Sequence, residues 1–459
     1  MPETRQKGGS MNLKKLRKMT GWLLILCLLM GCASGMPSPA GQDASGTETE
    51  AVPGSDPADG SSAAPSGEGT ASGETSDEEE SAEEEYWSRA MAKRSQEYEP
   101  GSGELTAAEG FEAAPKRDYT LMIYMIGSNL ESKAGKASAD IKEIAAAGID
   151  YAKTNVIAYT GGSRKWSANI PCDKNSVLDL AEPDDSWIMA QTKGNADMGA
   201  AETLTAFLDF CAENYPAEHS SLIFWDHGAG PLWGYGSDEL FDSDALLLSE
   251  MDSALAASAF SGKRLDFVGF DACLMASAES MGVWSKYADY YVGSEELEPG
   301  NGWDYSCLSI LNEAQDPRDV VTRIVERYGI YYEGIRSGQN DPDITLAAAD
   351  LTKISAVLGD VSKLASAMSG MAQGGEYPAL KKLRADVKSF GNLEDTRSGD
   401  AWNYDLVDLR HLAEQMKDRA PADSERLLAD LDRLIVAKTA NIEHAGGVTI
   451  YYPDSNISQ

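Results

Sequence analysis

Two groups that together can cleave an amide stand 46 residues apart in the chain. The apolar run Ser221–Trp225 ends in Asp226-His227-Gly228-Ala229-Gly230, and a second run, Leu265–Phe270, ends in Asp271-Ala272-Cys273. Imidazole moves protons near neutral pH, and a thiol becomes a nucleophile once a base or a positive environment draws off its proton. An attacked carbonyl also needs donors where its oxygen becomes negative. The backbone N–H groups of Gly228 and Cys273 are the expected pair, because glycine lets the chain approach closely. A helix expected from Leu274 would set its N-terminal amides against the thiol. Taken singly, the Cys reads as a small core hydrophobe and the His as structural. Their joint placement at the ends of two strands favours chemistry. The sequence has no G-x-S-x-G elbow for a serine hydrolase, and no C-x-x-C or H-E-x-x-H for zinc.

The elements that must bring the pair together are legible around it. Strand-length apolar runs stand at Tyr119–Ile126, Asn155–Thr160, Ser221–Trp225, Leu265–Phe270 and Tyr290–Gly293. Amphipathic helical stretches at Ala139–Ala147, Ala200–Glu213, Asp244–Ala259 and Leu274–Lys286 fall between them. Runs without polar alternation imply strands buried on both faces. The expected fold is therefore α/β, a mostly parallel sheet with helices on both faces. Chemistry in such sheets lies beyond the carboxyl ends of the strands, and successive strands usually neighbour each other. His227 and Cys273 should thus face one cleft. Past Pro317 the pattern turns helical (Val320–Tyr331, Lys353–Met368, Leu406–Lys417, Ser424–Thr439), with late strands at Ile344–Ala349 and Val448–Tyr452.

Charge narrows the function. The 459 residues carry 39 Lys and Arg against 74 Asp and Glu, a net charge of −35. Such a surface repels phosphate backbones, which excludes nucleic acid as a partner. No apolar run reaches the 18 or so residues that a spanning helix needs. The first 32 residues, basic and then apolar, end in Leu29-Met30-Gly31-Cys32. They read as a lipoprotein signal whose lipobox makes Cys32 the lipid-anchored first residue of an exported protein. Residues 33–115, rich in Ser, Gly, Ala and Glu, read as a disordered acidic tether. The α/β core is then expected at 116–315 and a helical C-terminal portion at 316–459. Four body cysteines (Cys172, Cys211, Cys273, Cys307) have no disulfide-framework spacing.

The segments YTLMIYMIGSNLE, SLIFWDHGAG, LDFVGFDACLMASAE, GSEELEPGNGWDY and NYDLVDL, within about residues 117–453, resemble the clostripain family of cysteine peptidases, in the caspase and gingipain clan. The resemblance implies a caspase-like sheet and an endopeptidase with a His227–Cys273 dyad that needs no third orienting residue. It implies cleavage after Arg, secondarily Lys, through an acyl-thioester. Asp271, two positions before the Cys, would line the S1 pocket, since a planar guanidinium suits a carboxylate. Asp271 is equally placed to cap the expected helix. The segment 294–304 would form the opposite wall, with Asn301, Glu298 and Asp304 as unranked candidates for a second contribution. Relatives are cut after a basic residue beyond the His, but none lies between His227 and Lys263. This chain is therefore expected to act uncut or to be processed at Arg89, Lys93 or Arg94. Relatives also continue past GGVTIYYP. Calcium is carried over from the family alone, because no ligand-spaced loop is present; no other cofactor is required. The expected partners are basic peptide substrates and a membrane through the lipid, with the chain a monomer. The rival reading is a non-catalytic surface lipoprotein whose acidic cleft binds basic peptides or a protein partner.

Overall fold

A computed structural model of the chain describes residues 103–313, 316–335, 342–394 and 401–453. The signal, Cys32, and the tether up to residue 102 with Arg89, Lys93 and Arg94 lie outside the described residues. The main sheet is built from β1 (Thr106–Ala107), β2 (Arg117–Ile126), β3 (Thr154–Gly161), β4 (Ser176–Asp179), β5 (Ile188–Gln191) and β6 (Ala217–Trp225). After a hairpin of β7 (Tyr235–Asp238) and β8 (Asp244–Leu246) it continues through β9 (Leu265–Asp271), β10 (Ala288–Gly293) and β11 (Thr345–Asp350). A second sheet holds β12 (Ser389–Glu394), β13 (Ala401–Asp408) and β15 (Thr449–Tyr451), while β14 (Ile435–Ala440) closes the edge of the main sheet.

The order is β1-β5-β4-β3-β2-β6-β9-β10-β11-β14. The central five, β3-β2-β6-β9-β10, are parallel. The flanking strands on either side run antiparallel. The parallel five are the runs expected from sequence, and their burial shows why. In β2, Leu121, Ile123 and Met125 enter one core, while Met122, Tyr124 and Ile126 enter the other. The first core packs against α2 (Lys136–Ala145) through Ile141 and Ile144. The second packs against α3 (Ala201–Asn214) and α4 (Leu248–Ala257) through Phe207, Leu208 and Met251. A strand between two such layers has no polar face to alternate with.

Two expected boundaries differ. The tether was placed through residue 115, yet β1 pairs with β5 and Phe111 stacks on Phe210 at 5.9 Å. The two apolar residues Leu105 and Phe111 suffice to dock this stretch on the core. The sheet also does not stop at 315: β11 and β14 extend it from the expected C-terminal portion. Among the described residues no helix is long and apolar enough to cross a membrane, and no cluster of three or more His, Cys, Asp or Glu is arranged to hold a metal. Cys172, Cys211, Cys273 and Cys307 are free thiols.

Several buried acids make the fold sensitive to alkali. Burial pushes Asp140 up to about 8 and Asp238 up to about 7. In the unfolded chain a carboxyl titrates near ~4. Between roughly pH 4 and pH 8 the native state therefore keeps protons that the unfolded chain has released, so stability falls as pH rises through that window. The urea midpoint at pH 5 should exceed that at pH 8.5, and Asp238→Asn should shrink the difference. A midpoint that rises with pH would contradict these assignments.

Candidate active site

The register of β6 and β9 sets the site. Phe224 pairs with Phe270 and Trp225 with Asp271. The two Phe rings stack at 4.8 Å, a contact of about 0.5–1.5 kcal/mol beyond burial that opposes slippage. His227 and Cys273 thus each lie two residues beyond one paired rung. Close approach follows: a Cβ on Gly228 would strike the Cys273 carbonyl oxygen and sit 2.9 Å from its nitrogen.

Cys273 is partly exposed, and its Sγ accepts from the Glu298 N–H at 3.1 Å and from the Gly228 N–H. Burial still pushes the thiol up to about 11, with the nearby Glu296 and Asp271 carboxyls adding to the rise. The expected helix does not begin at Leu274. Leu274 takes a left-handed φ of 63°, and the helix α5 (Ala278–Trp284) starts after its cap Ser277. Helix-terminal amides therefore do not lower this thiol, and Asp271 caps nothing. His227 is also held neutral, because burial lowers its pKa. The resting pair is a thiol and an imidazole.

Asp271, two residues before Cys273, is buried and accepts from Tyr305 Oη at 2.7 Å and the Trp303 N–H at 3.3 Å. The Glu298 carboxyl lies against it. Burial first, then the Asp271 charge, raises Glu298 well above the usual carboxylate range. The Glu298 carboxyl makes side-chain hydrogen bonds with Asp271 and with Trp303, so the two acids share one buried contact. Two acids and no cation thus share one buried place. The other two candidates are engaged elsewhere. Asp304 pairs with Arg327 and caps the turn at Ser306, and Asn301 Oδ1 accepts from Lys136 Nζ at 2.8 Å.

One neighbour of the dyad carried no signal in the sequence. Asn129, at the start of α1 (Ser128–Ala134), places its Oδ1 2.8 Å from His227 Nε2. The two lie 98 residues apart in the chain, and the pairing of β2 with β6 brings their turns together.

The family model for the clostripain family matches residues 123–459. The chain belongs to the clostripain family. Clostripain of Hathewaya histolytica is 26% identical over 263 residues, half of this chain but only 45% of that protein's length. A secreted C11 cysteine protease of Bacteroides thetaiotaomicron, solved with an irreversible peptide inhibitor, shares the fold with a TM-score of 0.55 at 17% identity over 75% of this chain and 95% of that one. An inactive zymogen C11 protease of Parabacteroides distasonis gives 0.53 at 17% identity, over 75% and 94%.

In this clostripain-family chain the segment 294–298, which runs beside the Cys273 loop, and that loop itself are also tied to distant late sequence. Gly447 N–H donates to Glu295 Oε2 at 2.7 Å, and Thr449 N–H donates to the Ala276 carbonyl at 2.8 Å. Glu295 meets Asp408, and burial raises both carboxyls. Glu296 Oε1 accepts from the Gly391 N–H at 2.9 Å, which ties β12 to the same loop. The backbone that carries the Glu298 N–H is thereby fixed from three sides.

Proposed function

We propose that the chain is a cysteine endopeptidase that cuts after Arg, secondarily Lys, using Cys273 and His227. The carrying observation is the buried Asp271–Glu298 carboxyl pair beside the thiol, with no Lys or Arg among the charges that act on either acid. Burying an acid pair without a cation is costly, and a planar guanidinium supplies both charge and donors. Lysine offers a point charge and fewer directed donors, so it ranks second.

The chemistry follows from the neutral pair. As substrate binds, the Sγ proton passes to His227 and the sulfur attacks the scissile carbonyl carbon. The N–H groups of Gly228 and Cys273 receive the oxyanion. The imidazolium then protonates the leaving amine as the C–N bond breaks, leaving a thioester. Water, deprotonated by His227, attacks the thioester and releases the acid and the thiol.

Export and anchoring through Cys32 belong to the same reading, as do basic peptides as partners, action as a monomer, and calcium as an assay variable. The test is turnover of fluorogenic peptides ending in Arg, Lys, Asp or Leu, by wild type and Cys273→Ala, with and without calcium. Arg should exceed Lys, Cys273→Ala should be silent, and the activity should sediment with membranes unless Cys32 is Ser. Cleavage after Asp or Leu would sink the pocket assignment. No turnover of any peptide would sink the enzyme.

A further inference from the structure

We infer that Asn129 is a positioning residue for His227, fixing which ring nitrogen carries the proton. This rests on the dyad reading above and goes beyond a two-residue mechanism. A carbonyl oxygen can only accept, so Asn129 Oδ1 at 2.8 Å from Nε2 holds the hydrogen on Nε2. Nδ1 is then the nitrogen left to take the thiol proton and later to deliver it to the leaving amine. A histidine free to swap tautomers or rotate would present the wrong nitrogen for part of the time.

The surroundings of Asn129 are built to hold that contact. Ser128, the residue before it, is buried and adopts φ 47°, a left-handed conformation that is costly for a residue with a side chain. Four bonds keep it there. Its N–H donates to the Gly162 carbonyl at 3.2 Å, its carbonyl accepts from Ser163 Oγ at 3.0 Å, its Oγ donates to Asp226 Oδ1 at 2.5 Å, and the Leu130 N–H donates to that Oγ at 3.2 Å. Asp226 is the residue before His227, and its second oxygen accepts from the Ser237 N–H at 2.6 Å. The bond Ser128–Asp226 therefore runs beside the bond Asn129–His227, each joining the same two turns. Strain at a buried serine, held by a neighbouring bridge, aims an exposed amide at an imidazole. Packing alone has no use for such an arrangement, because Asn129 itself is exposed.

Asn129→Ala should lower kcat about 100-fold, the scale of one general acid–base contribution, with KM within about twofold and the thermal midpoint unchanged. Asn129→Asp restores an acceptor and should recover most of kcat. Its charge should also raise the acid limb of the kcat/KM profile, since a carboxylate favours the imidazolium. Asp226, the residue before His227, accepts through both oxygens from Ser128 Oγ and the Ser237 N–H in wild type and variants alike, so it does not account for a difference between them. Ring ¹⁵N shifts of His227 in the Cys273→Ala background supply a readout without turnover: the Nε2–H tautomer should dominate, and Asn129→Ala should mix the two forms. If Asn129→Ala keeps kcat within about threefold, or the ring is Nδ1–H, the assignment falls even though the peptidase stands. Equal loss in Asn129→Ala and Asn129→Asp, with the tautomer unchanged, would also overturn it. Absence of turnover in wild type would instead sink the function itself, while the tautomer measurement would still be decisive.

Discussion

Gly228→Ala should cut kcat/KM for an Arg peptide by about 10³-fold, the upper range for losing one oxyanion donor, and lower stability by about 1–3 kcal/mol through overpacking. The added methyl meets backbone, not a flexible side chain: the Cys273 carbonyl oxygen, with its nitrogen at 2.9 Å and carbonyl carbon at 3.0 Å. Neither strand can retreat, because the Phe224–Phe270 stack and the rung Trp225–Asp271 hold β6 against β9. The residue whose N–H touches Sγ must then move away from it. Gly300, in the opposite wall, supplies the control, since a Cβ there meets nothing within 4 Å. Steady-state kinetics and a melting curve decide the matter. Near-normal turnover by Gly228→Ala would show that these two backbones need not touch.

Asp271 and Glu298 give the second large effect, and they should part ways. Asp271→Asn removes the buried charge that answers the substrate cation, and should lower kcat/KM for Arg by about 10³-fold, the scale of breaking a buried charged pair. Glu298→Gln keeps the shape but not the ability to ionise when a guanidinium arrives. It should cost about tenfold and narrow the preference for Arg over Lys, because the directed second acceptor matters most to a planar fork. In the free protein, however, Glu298→Gln relieves the crowding of two acids, so its melting temperature should rise. A variant that is more stable and less selective would mark this pair as strain kept for function. If both variants retain full preference for Arg, basic recognition lies elsewhere in the cleft.

The parallel centre of the sheet was open to sequence reading because burial on both faces writes an unbroken apolar run. The edges were not. β14 was expected as the end of a helix at Ser424–Thr439, because α10 (Pro421–Leu434) passes into the strand at Ile435 with no Gly or Pro between them. β4 and β5, four residues each, are too short to show a period. At the site, types and spacing marked His227 and Cys273 and the family resemblance marked Asp271, whereas Leu274 as a helix start ignored the left-handed turn at that residue. Glu298 stood beside Asn301 and Asp304 as an equal, since only the course of the wall shows that the latter two already have partners. Asn129 was invisible in one dimension.

The clasp between the wall and the last strands has a consequence for timing. The Gly447–Glu295 bond on the wall and the Tyr451–Glu279 bond on α5 span 152 and 172 residues, so this support arrives only after at least that much more chain has been made. At roughly 5–20 residues per second, such a span takes roughly 10–35 s to make. During that interval His227 and Cys273 both exist, and the loop that supplies the Glu298 N–H is tied to Thr345 and to the Leu274 and Ala276 N–H groups but not yet to Gly447. Contacts this distant also close late in folding. The segment from Gly447 to Tyr451 therefore completes the support of the loops beside Cys273 after both His227 and Cys273 are already in the chain.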